Sequence, residues 1–230
     1  MTTFVLVPGA WLGAWVWGRV SPLLETEGDV FAVTLTGMGE RVHLASPEHG
    51  IETAIQDVLN VIFYNDLDDI VLVGHSFAGK VVAPVADRAA NRVRLVVYVD
   101  ALRPDRVRTP QASFDPRREF GQGPPGSWSV PFSEKIIDAI GPDVKGDDRK
   151  WLLSKATPWP VKPAMEPITL SERFDSIKSA YVFCSKSGDP VDEIVAGKLE
   201  GPHKVIDSGH WPMITMPEEL ADDIISLALG

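Results

Sequence analysis

Four short runs of this chain carry no charged side chain at any position: FVLV at 4–7, VLV at 71–73, LVVYV at 95–99 and AYVFC at 180–184. A strand with one wet face alternates apolar and polar residues, whereas a strand that is apolar throughout is covered on both faces. The intervening segments have helical spacing. Over 51–63, Ile51, Ile55, Val58, Leu59 and Ile62 share a face, and similar patterns fall at 15–24 and 78–90. Further strands are expected at 30–35 and 204–206. The closing segment opens with Pro217, Glu218 and Glu219 and ends in glycine, as a terminal helix does. Alternation of this kind predicts an α/β fold, a mostly parallel central sheet with helices on both faces.

Residues 103–170 break the rhythm. Eleven of the nineteen prolines and three of the seven tryptophans (Trp128, Trp151 and Trp159) fall there, and only the stretches near 133–140 and 147–155 look helical. The segment follows Asp100 at the end of a strand, the side on which open α/β sheets place their ligand crevice. We read it as a small cap inserted at about 103–170 in a single domain spanning 1–230. Indoles in a proline-rich excursion cover or line something apolar.

The stretch VLVGHSFAGKVV at 71–82 passes from strand to helix within two or three residues. Gly74-His75-Ser76-Phe77-Ala78 fits the pattern G-x-S-x-G with Ala78 in place of the last glycine. Such a turn holds its serine in a strained conformation at the apex, exposed at the top of the sheet. A serine that merely caps a helix is the plain alternative, but the strand-to-helix context favours a nucleophile.

A serine hydroxyl needs a base near neutral pH. Of five histidines, His75 lies within the turn and points away from Ser76, where it packs. His43 and His49 fall in an early polar loop, and His203 precedes a strand. His210, in DSGHWP directly after the last strand, emerges beside the turn and is the candidate base. Two aspartates compete to orient it. Asp100 ends a strand with no intervening loop, where a buried carboxylate needs a partner. Asp189, in SGDP after the next strand, holds the more usual place for such an acid, but Gly-Asp-Pro is also ordinary turn chemistry. The reading leans to Asp100 and keeps Asp189 as the alternative. Backbone N–H groups of Phe77, after the serine, and of Ala10, in the glycine loop after the first strand, are the candidate donors to an oxyanion.

Taken together, FVLVPGAWLGAWVWGRVSPLL, VTLTGMGERVHL, VLVGHSFAGKVV, YVDALRPD and SGHWPM with PEEL resemble the α/β-hydrolase superfamily over almost the whole chain. The likeness is to its branch of EstC-like bacterial esterases, related to plant methylesterases and hydroxynitrile lyases. The resemblance implies a cofactor-independent serine hydrolase with Ser76, His210, Ala10 and Phe77 in the roles given. Pro8 stands where relatives commonly carry histidine in an HGAW motif, and Ser187 where the plant members carry their acid. Trp211 and Gly9 occupy the places of the lysine and threonine that hydroxynitrile lyases use, which disfavours lyase chemistry.

The expected function is hydrolysis of a carboxylic ester, with an aromatic, methyl or carbamate ester suggested by Trp128, Trp159 and Trp211. The alternatives are lyase-like chemistry or small-ligand binding without turnover. No metal or organic cofactor is expected. A net charge of −10 disfavours nucleic acid and anionic membranes as partners. One cysteine fits a reducing cytoplasm, and MTTFVLVPGAW reads as a first strand, not a signal peptide. The expected partner is a small-molecule ester, with a homodimer left open. A Gly37-Met38-Gly39 dinucleotide site ranks low because the third glycine of G-x-G-x-x-G is missing.

Overall fold

The computed structural model describes residues 2–101, 103–104, 115–121, 126–187 and 201–230. Within them the apolar runs form a six-stranded sheet of β1 (Thr2–Val7), β2 (Gly28–Ala32), β3 (Ile70–His75), β4 (Val93–Val99), β7 (Ser179–Cys184) and β8 (His203–Ile206). A separate two-stranded antiparallel pair joins β5 (Ser129–Val130) to β6 (Trp159–Pro160). The sheet order is β2-β1-β3-β4-β7-β8, and every neighbouring pair is parallel. All residues of β1 and β3 are buried, which is why these strands show no alternation. The register sets Val7 beside Gly74, His75 beside Val99, and Val99 beside Val182. The ends of four strands therefore meet at one edge.

Among the described residues the helices are α1 (Ser21–Leu24), α2 (Ile51–Tyr64), α3 (Gly79–Arg88), α4 (Pro116–Phe120), α5 (Glu134–Ile140), α6 (Gly146–Lys155), α7 (Lys162–Met165), α8 (Pro212–Thr215) and α9 (Pro217–Leu229). Ile51, Ile55, Val58 and Ile62 of α2 are buried as their spacing requires, and α3 buries Val81, Val82 and Val85. The single helix expected over 15–24 is instead a 3-10 turn at Ala14–Trp17 followed by α1. Pro22 explains the break: its fixed φ and missing N–H suit the start of a helix and not its interior. The strand expected over 30–35 stops at Ala32, with one further bond from Val33 N–H to the Leu6 carbonyl. Beyond it the threonines turn to other partners: Thr34 Oγ1 accepts from Ala14 N–H and donates to Glu40, and Thr36 N–H donates to Asp57.

The proline-rich stretch contributes α4 to α7 and the β5-β6 pair, with α5 and α6 where helices are expected. It reaches the loops that leave the sheet's C-terminal edge. Trp11 Nε1 donates to the Val130 carbonyl at 3.0 Å, and Thr157 N–H donates to the Trp11 carbonyl at 2.9 Å. His210 N–H donates to the Ile140 carbonyl at 2.8 Å, and Lys80 Nζ to the Ala164 carbonyl at 2.5 Å.

Candidate active site

Ser76 sits where β3 gives way to a 3-10 turn, Ser76–Ala78, that runs into α3. Its φ of +54° lies in the left-handed region, a strain of about 1–3 kcal/mol for a residue with a side chain. Small neighbours make the turn possible. A Cβ on Gly74 would lie 2.7 Å from a Val82 methyl, so α3 packs directly on the strand. Ala78 is fully buried, and its methyl is accommodated where the motif usually has glycine. A Cβ on Gly9 would fall 2.8 Å from Ser76 Cβ and 2.7 Å from His75 Nδ1, so the loop after β1 presses on the same turn.

His210 enters from the loop between β8 and α8, and its Nε2 lies 2.7 Å from Ser76 Oγ. Its Nδ1 lies 2.5 Å from Asp100 Oδ2. Asp100 follows β4 directly, has a φ of +44°, and is almost fully buried. Its other oxygen, Oδ1, accepts from Ser187 Oγ at 2.9 Å and from Cys184 N–H at 3.2 Å. Burial pushes this carboxyl up, but the hydrogen bond and charge of His210, with the Ser187 hydroxyl, outweigh it and hold Asp100 below the usual carboxylate range. Nδ1–H therefore donates to the carboxylate, and Nε2 is left as an acceptor facing the serine. Asp189, the alternative acid, lies outside the described residues. Ser187 cannot replace a carboxylate, but its hydroxyl helps satisfy one.

His75 turns away from Ser76 and is buried. Its Nε2–H donates to the His210 carbonyl at 2.7 Å, and its ring packs against that of His210 at 4.8 Å. Burial, reinforced by the neighbouring His210, pushes its pKa down to about 3, so it is neutral and cannot serve as the base that takes the serine proton. His43 sits against the Glu40 carbonyl and His203 opens β8. Cys184 is buried and its thiol is pushed up by that burial, which removes it as a competing nucleophile.

The amides of Ala10 and Phe77 flank the serine: Ala10 follows the glycine packed on Ser76, and Phe77 follows the serine itself. Neither N–H donates to an acceptor among the described residues. Aromatic rings close around this point. Trp11, at φ +66°, meets Phe120, Phe132 and Trp159 at 5.1, 5.7 and 5.2 Å, and Trp159 meets Phe77 at 5.2 Å. Trp211 lies 5.6 Å from the His210 ring. Trp128 is 37 % exposed. Of the three tryptophans singled out for a flat substrate, Trp159 and Trp211 join this cluster and are themselves almost fully buried, so packing accounts for most of their surface.

Comparison with known proteins identifies the family and the fold. The Alpha/beta hydrolase family profile matches residues 4–223. The carbendazim hydrolyzing esterase of Nocardioides sp. (strain SG-4G) is 31 % identical over 241 residues, covering 99 % of this chain and all of that one. Methylesterase 9 of Arabidopsis thaliana is 26 % identical, covering 99 % of this chain and 98 % of its own. Among solved structures, an extracellular alpha/beta-hydrolase from a Paenibacillus species superposes with a TM-score of 0.80 over the full length of both chains at 19 % identity. With nearly the whole chain matched, and with a serine on a strained strand-to-helix turn, the protein belongs to the alpha/beta hydrolase family.

Proposed function

We propose that this protein hydrolyses small carboxylic esters through an acyl-enzyme. Ser76 Oγ attacks the carbonyl carbon as His210 Nε2 takes its proton, and Asp100 holds the imidazole and offsets the positive charge it gains. The carbonyl oxygen, now anionic, accepts hydrogen bonds from Ala10 N–H and Phe77 N–H. Collapse of this intermediate breaks the carbon–oxygen ester bond, and Nε2–H protonates the departing alcohol. Water then gives a proton to Nε2 and attacks the acyl carbon, and Ser76 Oγ leaves and recovers its proton as the acid is released. No step calls on a metal or organic cofactor.

The observation that carries this reading is the unbroken line from Asp100 Oδ2 to His210 Nδ1 at 2.5 Å and from His210 Nε2 to Ser76 Oγ at 2.7 Å. In this reading residues 1–230 form one domain, and the segment at about 103–170 is its cap. The rings packed beside Phe77 and His210 and the activity in the name of the Nocardioides relative favour aromatic, methyl or carbamate esters. Trp211 and Gly9, in the places of the lyase lysine and threonine, weigh against hydroxynitrile cleavage.

The test combines p-nitrophenyl acetate turnover with labelling by a fluorophosphonate probe. Native protein should turn over the ester and take the label, and Ser76→Ala should do neither. An inert, unlabelled native protein would overturn the proposal in favour of ligand binding without chemistry.

A further inference from the structure

His210 is anchored from an unexpected direction. β8 ends at Ile206, and five residues, 207–211, follow before α8 begins at Pro212; from the sheet side they are held by Lys186, just past β7, whose N–H donates to the Ser208 carbonyl at 3.0 Å. A turn from the 103–170 segment, residues 140–143, grips that span. The Ile140 carbonyl accepts from His210 N–H at 2.8 Å. Asp143 Oδ2 accepts from Gly209 N–H at 2.8 Å and from Ser208 Oγ at 3.1 Å. Ser208 is fully buried, and its hydroxyl also lies 2.8 Å from Thr215 Oγ1. The fit allows no slack: a Cβ on Gly209 would fall 2.3 Å from Asp143 Oδ1 and 2.8 Å from Gly141 Cα. A Cβ on Gly141 would strike the Trp211 ring at 2.3 Å. Asp143 Oδ1 is itself buried without a hydrogen-bond partner, so the carboxylate is held at some desolvation cost.

We infer that Asp143 is a positioning residue for His210: its carboxylate fixes the 208–209 backbone and so sets the distance from the imidazole to Ser76. The inference rests on the reading of His210 as the base. Asp143 touches no reacting atom and acts only through this backbone. A carboxylate 67 residues from His210 in sequence does by one strong acceptor what the sheet does for Ser76 and Asp100, which sit directly on strand ends. Displacement of a general base by even an ångström can cost about 100-fold in rate.

The experiment measures kcat and KM with p-nitrophenyl acetate for Asp143→Ala, Asp143→Asn and the nearly isosteric Asp143→Leu, with His210→Ala alongside and rates expressed per folded protein. We expect Ala and Leu to lower kcat about 10- to 100-fold with KM changed by less than about twofold. Asn keeps an acceptor for Gly209 N–H and should recover kcat to within about threefold of native. If Asp143→Ala fails to fold, Asp143→Leu carries the same expectation. Native kcat in the Ala or Leu variant, an Asn variant as slow as Leu, or a KM that rises in step with the loss of kcat would each overturn the inference. If His210→Ala retains native activity, the assignment of the base fails instead.

Discussion

Asp100 shows most clearly how chemistry and structure meet at a single residue. It is buried at the end of a strand in a left-handed conformation, and both oxygens are in use: Oδ2 by His210, Oδ1 by Ser187 and Cys184. A buried carboxylate so fully satisfied keeps its charge and fixes the imidazole tautomer. Asp100→Asn should therefore reduce kcat by about 10⁴-fold, the loss typical of a misoriented imidazole in a serine–histidine–aspartate site. Ser187→Ala removes one neutral hydrogen bond of ~1 kcal/mol and should cost about fivefold or less. Steady-state kinetics on the two variants separates them. A small loss in Asp100→Asn, with a large one in Asp189→Asn, would transfer the role to Asp189.

At the scale of elements, what could be read in the sequence follows the range of the forces involved. β1, β3, β4 and β7 are legible because burial on both faces leaves uninterrupted apolar runs, and α2 because its apolar residues keep one face. Ser76 is legible because a strand-to-helix reversal demands Gly74 and a small residue at 78, a local steric requirement that stays in local sequence. His210 is legible as a candidate from its place in the loop after the last strand, and Asp100 as one of two candidates from its place at the end of β4. The choice between Asp100 and Asp189 is not, since it depends on which side chain reaches across a sheet. Asp143 left no trace either: Gly-Pro-Asp reads as an ordinary turn, and its partners lie some 65 residues away. The hydrogen bond from His75 to the His210 carbonyl is missed for the same reason. The broken helix at 15–24 shows the reverse case, in which a local signal, Pro22, outweighs the apolar spacing.

The whole molecule couples this site to its stability. His75 is buried and neutral, with a pKa of about 3 against 6.5 for the free side chain. Between those values the unfolded chain binds a proton that the folded one refuses, so stability is lost as pH falls from 6.5 toward 3, at up to ~1.4 kcal/mol per pH unit. Asp100 acts in a lower window: its depressed pKa gives stability that is present above the ordinary carboxylate value and is lost only as pH falls below it. Urea unfolding at pH 7 and pH 5 should show native protein losing more stability than His75→Gln, whose amide can still donate to the His210 carbonyl but does not titrate. Equal losses would remove His75 from this role.

At the same scale, no helix among the described residues is long and apolar enough to cross a membrane. Residues drawn from positions 10, 76, 100 and 210 converge at one edge of one sheet, with residues 130 and 157 hydrogen-bonded to Trp11 and residues 140 and 143 to the span 209–210. The most direct test of what that convergence accomplishes is mass spectrometry of protein quenched in acid during p-nitrophenyl acetate turnover, followed by peptide mapping. An acetyl group on Ser76, absent from Ser76→Ala, is the predicted result; turnover with no adduct, or with the adduct on another residue, would contradict it.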